Sequence, residues 1–387
     1  MIAYNATSLD NRNIQLEAGE ALEKKAISPE EYNAIIQAHP FHFYTPNALI
    51  RVGLFALTGI ILLFTLGIFI LLAAISNGNT LGGLLVVTGI LIYVVLEYIV
   101  HGMRHFRSGI DDGLLWIGHL MIITGFSLLS NNSSPQMQCY LILLLALWGA
   151  IRFADCMMAL VAYAALLRVV FYTGMHLGSI GKSLLPFLIM AVSAGIYTLV
   201  KSLAAKEKYR HYLSGLTVVT AATLLSFCAA GNYFVVRELS ISLLNSPPSA
   251  PIPLGGLFWL QTVIIPLLYI ARGIQKKDVI FLWAGLILAA AAVFTIRHYY
   301  HLLPLEWALV IGGILLIALA YIVMRYLRTP KHGFTAEETD TEHILASLHV
   351  ESLVIAETFH AVSTPSASND FQFGGGSGGG GGAGGEY

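Results

Sequence analysis

Residues 52–75 read VGLFALTGIILLFTLGIFILLAAI, twenty-four positions without a charge. An α-helix rises 1.5 Å per residue, so about 20 such residues cross ~30 Å of hydrocarbon. A helix apolar on every side has no face to offer water. The run follows 51 mostly polar residues and is too long for the core of a signal peptide. It reads as an uncleaved first transmembrane helix.

Working outward, nine further segments have this character: 81–100, 114–130, 138–154, 155–175, 183–202, 212–236, 255–272, 278–296 and 302–326. The sequence therefore predicts an all-α fold, a polytopic integral membrane helical bundle of about ten transmembrane helices. Segment 138–154 is short and meets its successor at Arg152-Phe153-Ala154-Asp155 with almost no loop. One helix over 138–175 would be too long for a single crossing, so a tight hairpin is expected there. Composition agrees. The chain is 56% hydrophobic and 11% charged, against roughly 25% charged residues in soluble domains. Its solvent is largely lipid.

Charge placement orients the bundle. With the N-terminus inside, 17 of the 21 lysines and arginines fall on cytoplasmic segments, leaving Arg168, Lys182, Arg237 and Arg297 on the outer half. Retained positive charge is the main determinant of orientation. Both termini are expected to be cytoplasmic. A net charge of −1 excludes a nucleic-acid partner, which needs clustered positive charge. Cys139, Cys156 and Cys228 form no CxxC pair. They read as buried small hydrophobes rather than disulfides or zinc ligands.

Four regions follow. Residues 1–51 form a cytoplasmic helical hairpin, with one helix near Ile14–Lys25 and a second at Pro29–His39. The second is announced by a serine N-cap, Ser28, a proline at the first helical position and Glu31 three residues after the cap. Residues 52–327 form the transmembrane domain. Residues 328–360 hold an amphipathic helix over 341–359, on which Ile344, Leu345, Leu348, Ile355 and Phe359 recur at helical spacing. Residues 361–387 form a glycine-rich tail, expected to be disordered because glycine loses the most backbone entropy on ordering.

Two stretches resemble known families. Ala26-Ile27-Ser28-Pro29-Glu30-Glu31, followed by a short helix and many spans, is similar to uncharacterised bacterial multispanning membrane proteins of the DUF2157 type. The tail from Phe373-Gly374-Gly375-Gly376-Ser377 to Glu386-Tyr387 resembles that of TPM-domain membrane proteins, although no TPM domain accompanies it. The resemblances imply a bacterial inner-membrane protein and carry no activity.

Ionisable groups at membrane depth are costly and serve function by default. The densest set surrounds the second and third spans. Glu97, His101 and His105 are spaced four apart, as on one helical face, with Arg104 adjacent. Asp111 and Asp112 follow in the predicted loop, His119 lies one turn into the predicted third span, and Arg152 and Asp155 share the cytoplasmic side. Three readings compete for the set: paired interfacial residues, a polar vestibule for an ion or small molecule facing the bundle interior, and a metal site on His101 and His105. Histidines at i and i+4 can ligate one metal. Membrane hydroxylases use several more on the same side, whereas His298 and His301 fall on the outer face of this topology, beside Glu306. Arg168 needs a partner or a route to the headgroups. The glycines at Gly82-Gly83 and Gly312-Gly313 suit helix packing.

Three functions remain open at this stage. The first is a non-enzymatic membrane protein, transporter-like or an assembly partner. The second is a membrane-embedded enzyme using the Glu97/His101/His105 cluster, its cofactor unknown. The third is a scaffold that recruits a protein partner through residues 341–387. In each case the surrounding partner is the lipid bilayer.

Overall fold

The computed structural model describes residues 2–72, 78–130, 135–244, 247 and 252–300, with isolated positions between 310 and 325. The tenth span (302–326), Glu306, His301, Gly312, the helix over 341–359 and the glycine tail lie outside those residues, apart from the isolated positions. The protein is an all-α polytopic membrane protein. Among the described residues, nine helices are long and apolar enough to cross a membrane.

The N-terminal hairpin is α1 (Ala6–Glu23) and α2 (Pro29–Ala38). The first helix begins eight residues earlier than its hydrophobic pattern suggests, because Asn5 caps it by accepting the Ser8 N–H. The second is closed by a full capping box: the Ser28 hydroxyl accepts the Glu31 N–H, and the Glu31 carboxylate accepts the Ser28 N–H.

Next come α3 (Ala48–Leu72), α4 (Gly78–Gly102), α5 (Ile110–Leu129), α6 (Pro135–Phe153), α7 (Cys156–His176) and α8 (Gly178–Ala204). A 3₁₀ turn (Glu207–Tyr212) leads into α9 (Leu213–Gly231), followed by α10 (Tyr233–Leu244), α11 (Gly255–Lys276) and α12 (Val279–Tyr300). Neighbours in sequence pack as hairpins: α4 on α5, α6 on α7, α8 on α9 and α11 on α12. Helix α7 also meets α8 and α9, and α9 meets α11 and α12. Helix α3 is the most apolar span and the least buried, with Leu63, Phe64 and Leu71 more than half exposed. Lipid is the solvent that makes such a surface tenable.

The tight hairpin at 153–156 forms. Ala154 adopts φ 50°, and Asp155 caps α7 by accepting the Met158 N–H at 2.6 Å. The expected single helix over 212–236 is corrected. Helix α9 stops at Gly231, and Asn232 is extended (φ −81°, ψ 129°). Its side-chain oxygen accepts the Phe234 and Val235 N–H groups, opening a separate short helix. A Gly-Asn pair combines a helix stop with an N-cap, and both roles operate here. All three cysteines are buried and free.

Helices α4 and α5 approach through glycine. A Cβ on Gly82 would sit 2.8 Å from the Gly125 carbonyl oxygen, and one on Gly89 2.9 Å from that of Gly118. The two pairs are seven residues apart on each helix, so the same antiparallel contact repeats after two turns. Gly83 faces open space.

Candidate functional site

The α4–α5 and α6–α7 connections, the start of α3 and the N-terminal segment meet at one face of the bundle. Two residue pairs, each at i, i+4, confront each other there. On α4 the Tyr93 hydroxyl donates to Glu97 Oε1 at 2.8 Å. On α6, Trp148 Nε1 donates to the Tyr93 hydroxyl at 2.9 Å. Arg152 then grips Glu97 with two nitrogens, Nε at 2.8 Å and Nη2 at 2.9 Å. A bidentate pair shielded from water is far stronger than an exposed one; here both side chains are about one quarter exposed. His101 adds its Nδ1 at 3.3 Å from Glu97 Oε2, but its ring is 55% exposed.

Helix α4 ends at Gly102, and Arg104 takes φ 55°. His105 therefore leaves the helical face it was expected to share with Glu97 and His101. It bonds the Ser108 hydroxyl through Nδ1 at 2.9 Å and packs on the Tyr44 ring. Residues 44 and 105 form an isolated parallel bridge, with the Tyr44 N–H on the Arg104 carbonyl. Two long-range backbone bonds outweigh one more helical turn. His101 and Arg104 are exposed rather than turned into the bundle. Among the described residues, no three His, Cys, Asp or Glu side chains gather where they could hold a metal ion.

Asp111 and Asp112 lie in the first turn of α5 rather than in a loop, because α5 starts at Ile110. Asp111 is buried and accepts the Arg107 N–H at 2.7 Å, the Ser108 N–H at 2.8 Å and the Ser108 hydroxyl at 3.0 Å. It fastens the turn before its own helix. Asp112 takes Arg51 at 2.8 Å, tying α3 to α5. Gly109 permits this, since at φ 91° its absent Cβ would lie 2.1 Å from the Arg51 carbonyl oxygen.

The N-terminal segment plugs the same cluster. The Ala3 N–H donates to the Arg152 carbonyl at 2.7 Å, and the Tyr4 hydroxyl reaches Asp111 at 3.5 Å. The Tyr4 ring sits among Phe43, Phe106 and Phe153. Burial, then the nearby Asp111 and Asp112 carboxylates, push the Tyr4 phenol well above its usual range. Burial also raises the Asp155 carboxyl, opposed by the Met158 N–H and by Arg107 and Arg51.

His119 sits deeper than expected, more than two turns into α5. Its Nδ1 is 2.6 Å from the Leu115 carbonyl, and its Nε2 lies beside Gly149 of α6. Arg168 stacks on Tyr172 one turn away, at 5.7 Å.

Beside the paired cluster is a space that the polar residues did not signal. Helices α6, α7, α8 and α9 and the 3₁₀ turn enclose a cleft of 1180 Å³, larger than the ~300–1,000 Å³ usual for small-ligand pockets. Its lining includes small residues where α7 and α9 approach: Ala159 and Ala162 on α7 and Gly215 on α9. A Cβ on Gly215 would stand 3.4 Å from that of Ala159. Leu144 and Leu147 of α6 line it and are 66% and 46% exposed, so the cleft opens sideways. At its inner end the Tyr163 hydroxyl bonds Ser193 at 2.9 Å and also Ser226, joining α7, α8 and α9. At the other end stand Lys208, Arg210, His211 and Asp155.

No family model matches this chain, and no curated protein or solved structure matches it. Function is therefore argued from geometry. Tyr93 and Trp148 could have been found in the sequence, since they stand four residues before Glu97 and Arg152, one helical turn from the charged pair. Tyr4 and the cleft left no local signal, because both depend on contacts between distant segments.

Proposed function

We propose that this chain is a non-enzymatic, transporter-like protein of the bacterial inner membrane that takes an amphiphile from the bilayer into its lateral cleft. The cleft carries this reading. Its lining on α7 runs from Asp155 to Leu166, eleven residues of rise or roughly 16 Å. That is close to half of a ~30 Å hydrocarbon core, the depth of one leaflet. One end is ionic, the flank opens through leucines, and the body is apolar. A single lipid of one leaflet has this distribution of polarity.

The placement of both termini in the cytoplasm rests on the basic residues, which would put the ionic end at the inner headgroups. The enzyme alternative has less support, because both Glu97 oxygens are engaged by Arg152 and one also by Tyr93. A general acid or base needs a free oxygen aimed at substrate. The scaffold alternative turns on residues 341–387, for which the cleft argues neither way.

Lipid retention tests the proposal. Protein extracted in mild detergent should carry about one tightly held lipid per chain, detected by native mass spectrometry. Ala159→Trp, which adds an indole to the cleft lining, should shed it in protein that still folds. Retention unchanged by Ala159→Trp and by a second filling variant, Gly215→Trp, would remove the cleft from the function.

A further inference from the structure

The 3₁₀ turn at the ionic end of the cleft reads Glu207-Lys208-Tyr209-Arg210-His211-Tyr212. It is fastened to α6 by the Tyr212 hydroxyl on the Ile151 carbonyl at 2.9 Å, so its cations stand at a fixed height above the apolar body. Arg210 and His211 are held from outside the membrane domain. Arg210 Nη2 donates to Asp10 Oδ2 of α1, and His211 Nε2 lies 3.4 Å from Asp10 Oδ1. Glu207 is a more distant partner of Arg210, at 3.7 Å, and is 89% exposed.

Asp10 is a poor fit for this role. Its Oδ1 is buried and has no hydrogen bond, only the longer ionic contact with His211. A buried acceptor without a donor costs free energy. An anion with more oxygens would use the Arg210 fork and Lys208 more fully, since guanidinium geometry suits phosphate bidentately. Charge points the same way. Lys208 and Arg210 are balanced by Glu207 and Asp10. Were Asp10 displaced, one positive charge would remain, which a phosphodiester of charge −1 offsets. Asp155, the other carboxyl on the lining, is engaged as the cap of α7, accepting the Met158 N–H.

We infer that the cleft is specific for a lipid with an anionic phosphodiester headgroup, bound by the Lys208 and Arg210 charges and a His211 ring N–H, and that the Asp10 carboxylate of α1 competes with that headgroup for Arg210 and His211. The inference rests on the proposed lipid-binding role of the cleft. It makes α1 a regulatory element. The N-terminal helix releases the turn when the headgroup binds, and holds it otherwise. Free phosphate has the same headgroup chemistry, but the apolar body gives the preference to the lipid.

The full-length protein in detergent, titrated with phosphatidylglycerol, phosphatidylcholine or inorganic phosphate, tests this by thermal shift and native mass spectrometry. Phosphatidylglycerol should bind about tenfold more tightly than phosphatidylcholine, and inorganic phosphate should give no shift at matched concentration. Arg210→Gln should abolish the preference, a loss of roughly tenfold for phosphatidylglycerol alone. Asp10→Asn should act oppositely and tighten phosphatidylglycerol severalfold, a gain that misfolding cannot imitate. Equal binding of both lipids, each lost in Ala159→Trp, would overturn the headgroup specificity and leave the cleft's lipid role standing. Binding of either lipid insensitive to Ala159→Trp and Gly215→Trp would overturn the lipid role itself. A shift with inorganic phosphate equal to that with phosphatidylglycerol would overturn the choice of a lipid. An unchanged affinity in Asp10→Asn would overturn the competition.

Discussion

Glu97 and Arg152 stand 55 residues apart in sequence and meet through two charged hydrogen bonds at the edge of the membrane domain. Removing one partner of such a pair strands the other, whereas replacing both removes the need for pairing. Glu97→Gln should therefore cost about 1–3 kcal/mol, read as a lower melting temperature in detergent. The double variant Glu97→Met with Arg152→Met should recover most of it. If the double loss equals the sum of the two single losses, the side chains are not coupled.

Asp155 gives a pH dependence with a definite sign. Burial raises its carboxyl above the ordinary aspartate value, so the folded chain holds that proton more tightly than the unfolded chain. The stabilisation from Asp155 is complete below the unfolded pKa and is lost as pH rises through the folded one. Asp155→Asn keeps an acceptor for the Met158 N–H and removes the titration. Its melting temperature should fall less than wild type's between acid and neutral pH. Asp155→Ala loses the cap as well, about 1 kcal/mol. Identical pH profiles for wild type and Asp155→Asn would rule out this role.

Among the elements, the α4–α5 contact depends on four glycines, of which the sequence had marked only Gly82 for packing. Gly89→Ala brings a methyl to 2.6 Å from the Ile122 side chain and 2.9 Å from the Gly118 carbonyl. Overpacking of this kind costs typically about 1–3 kcal/mol. Gly83→Ala, on the same helix but facing open space, should be neutral or slightly stabilising in denaturation by a graded detergent series. Equal effects of the two substitutions would mean that the helices do not meet along the glycine pairs. The hairpin at 153–156 was legible, because length forbade a single span over 138–175, whereas the Asp155 cap that opens α7 emerged only with the fold. The break at Asn232 was hidden inside an apolar run, where hydropathy is blind to caps. The face shared by Glu97, His101 and His105 was misread because four-residue spacing implies a common face only while the helix continues. Helix α4 stops at Gly102, where the bridge between Tyr44 and His105 takes over.

The molecule as a unit carries the topology. Ten spans and a cytoplasmic N-terminus predict that reporters fused after residues 78, 134, 180, 245 and 300 are outside, and those after 108, 207, 275 and 335 inside. A reporter outside at 335 would subtract the span expected over 302–326. The membrane solvent, the helical class and most span boundaries were already written along the chain. Each follows from local quantities: apolar length against bilayer thickness, caps, and the scarcity of charge. Folding in three dimensions was needed to settle which charges pair, that Tyr4 and Ala3 close the cluster from the far end of the chain, and that Ala159 and Gly215 bring two helices together beside a cleft. The reason is physical. Hydropathy is a property of each segment in its solvent, whereas a cleft or an ion pair exists only between segments, and its residues need share no pattern along the chain.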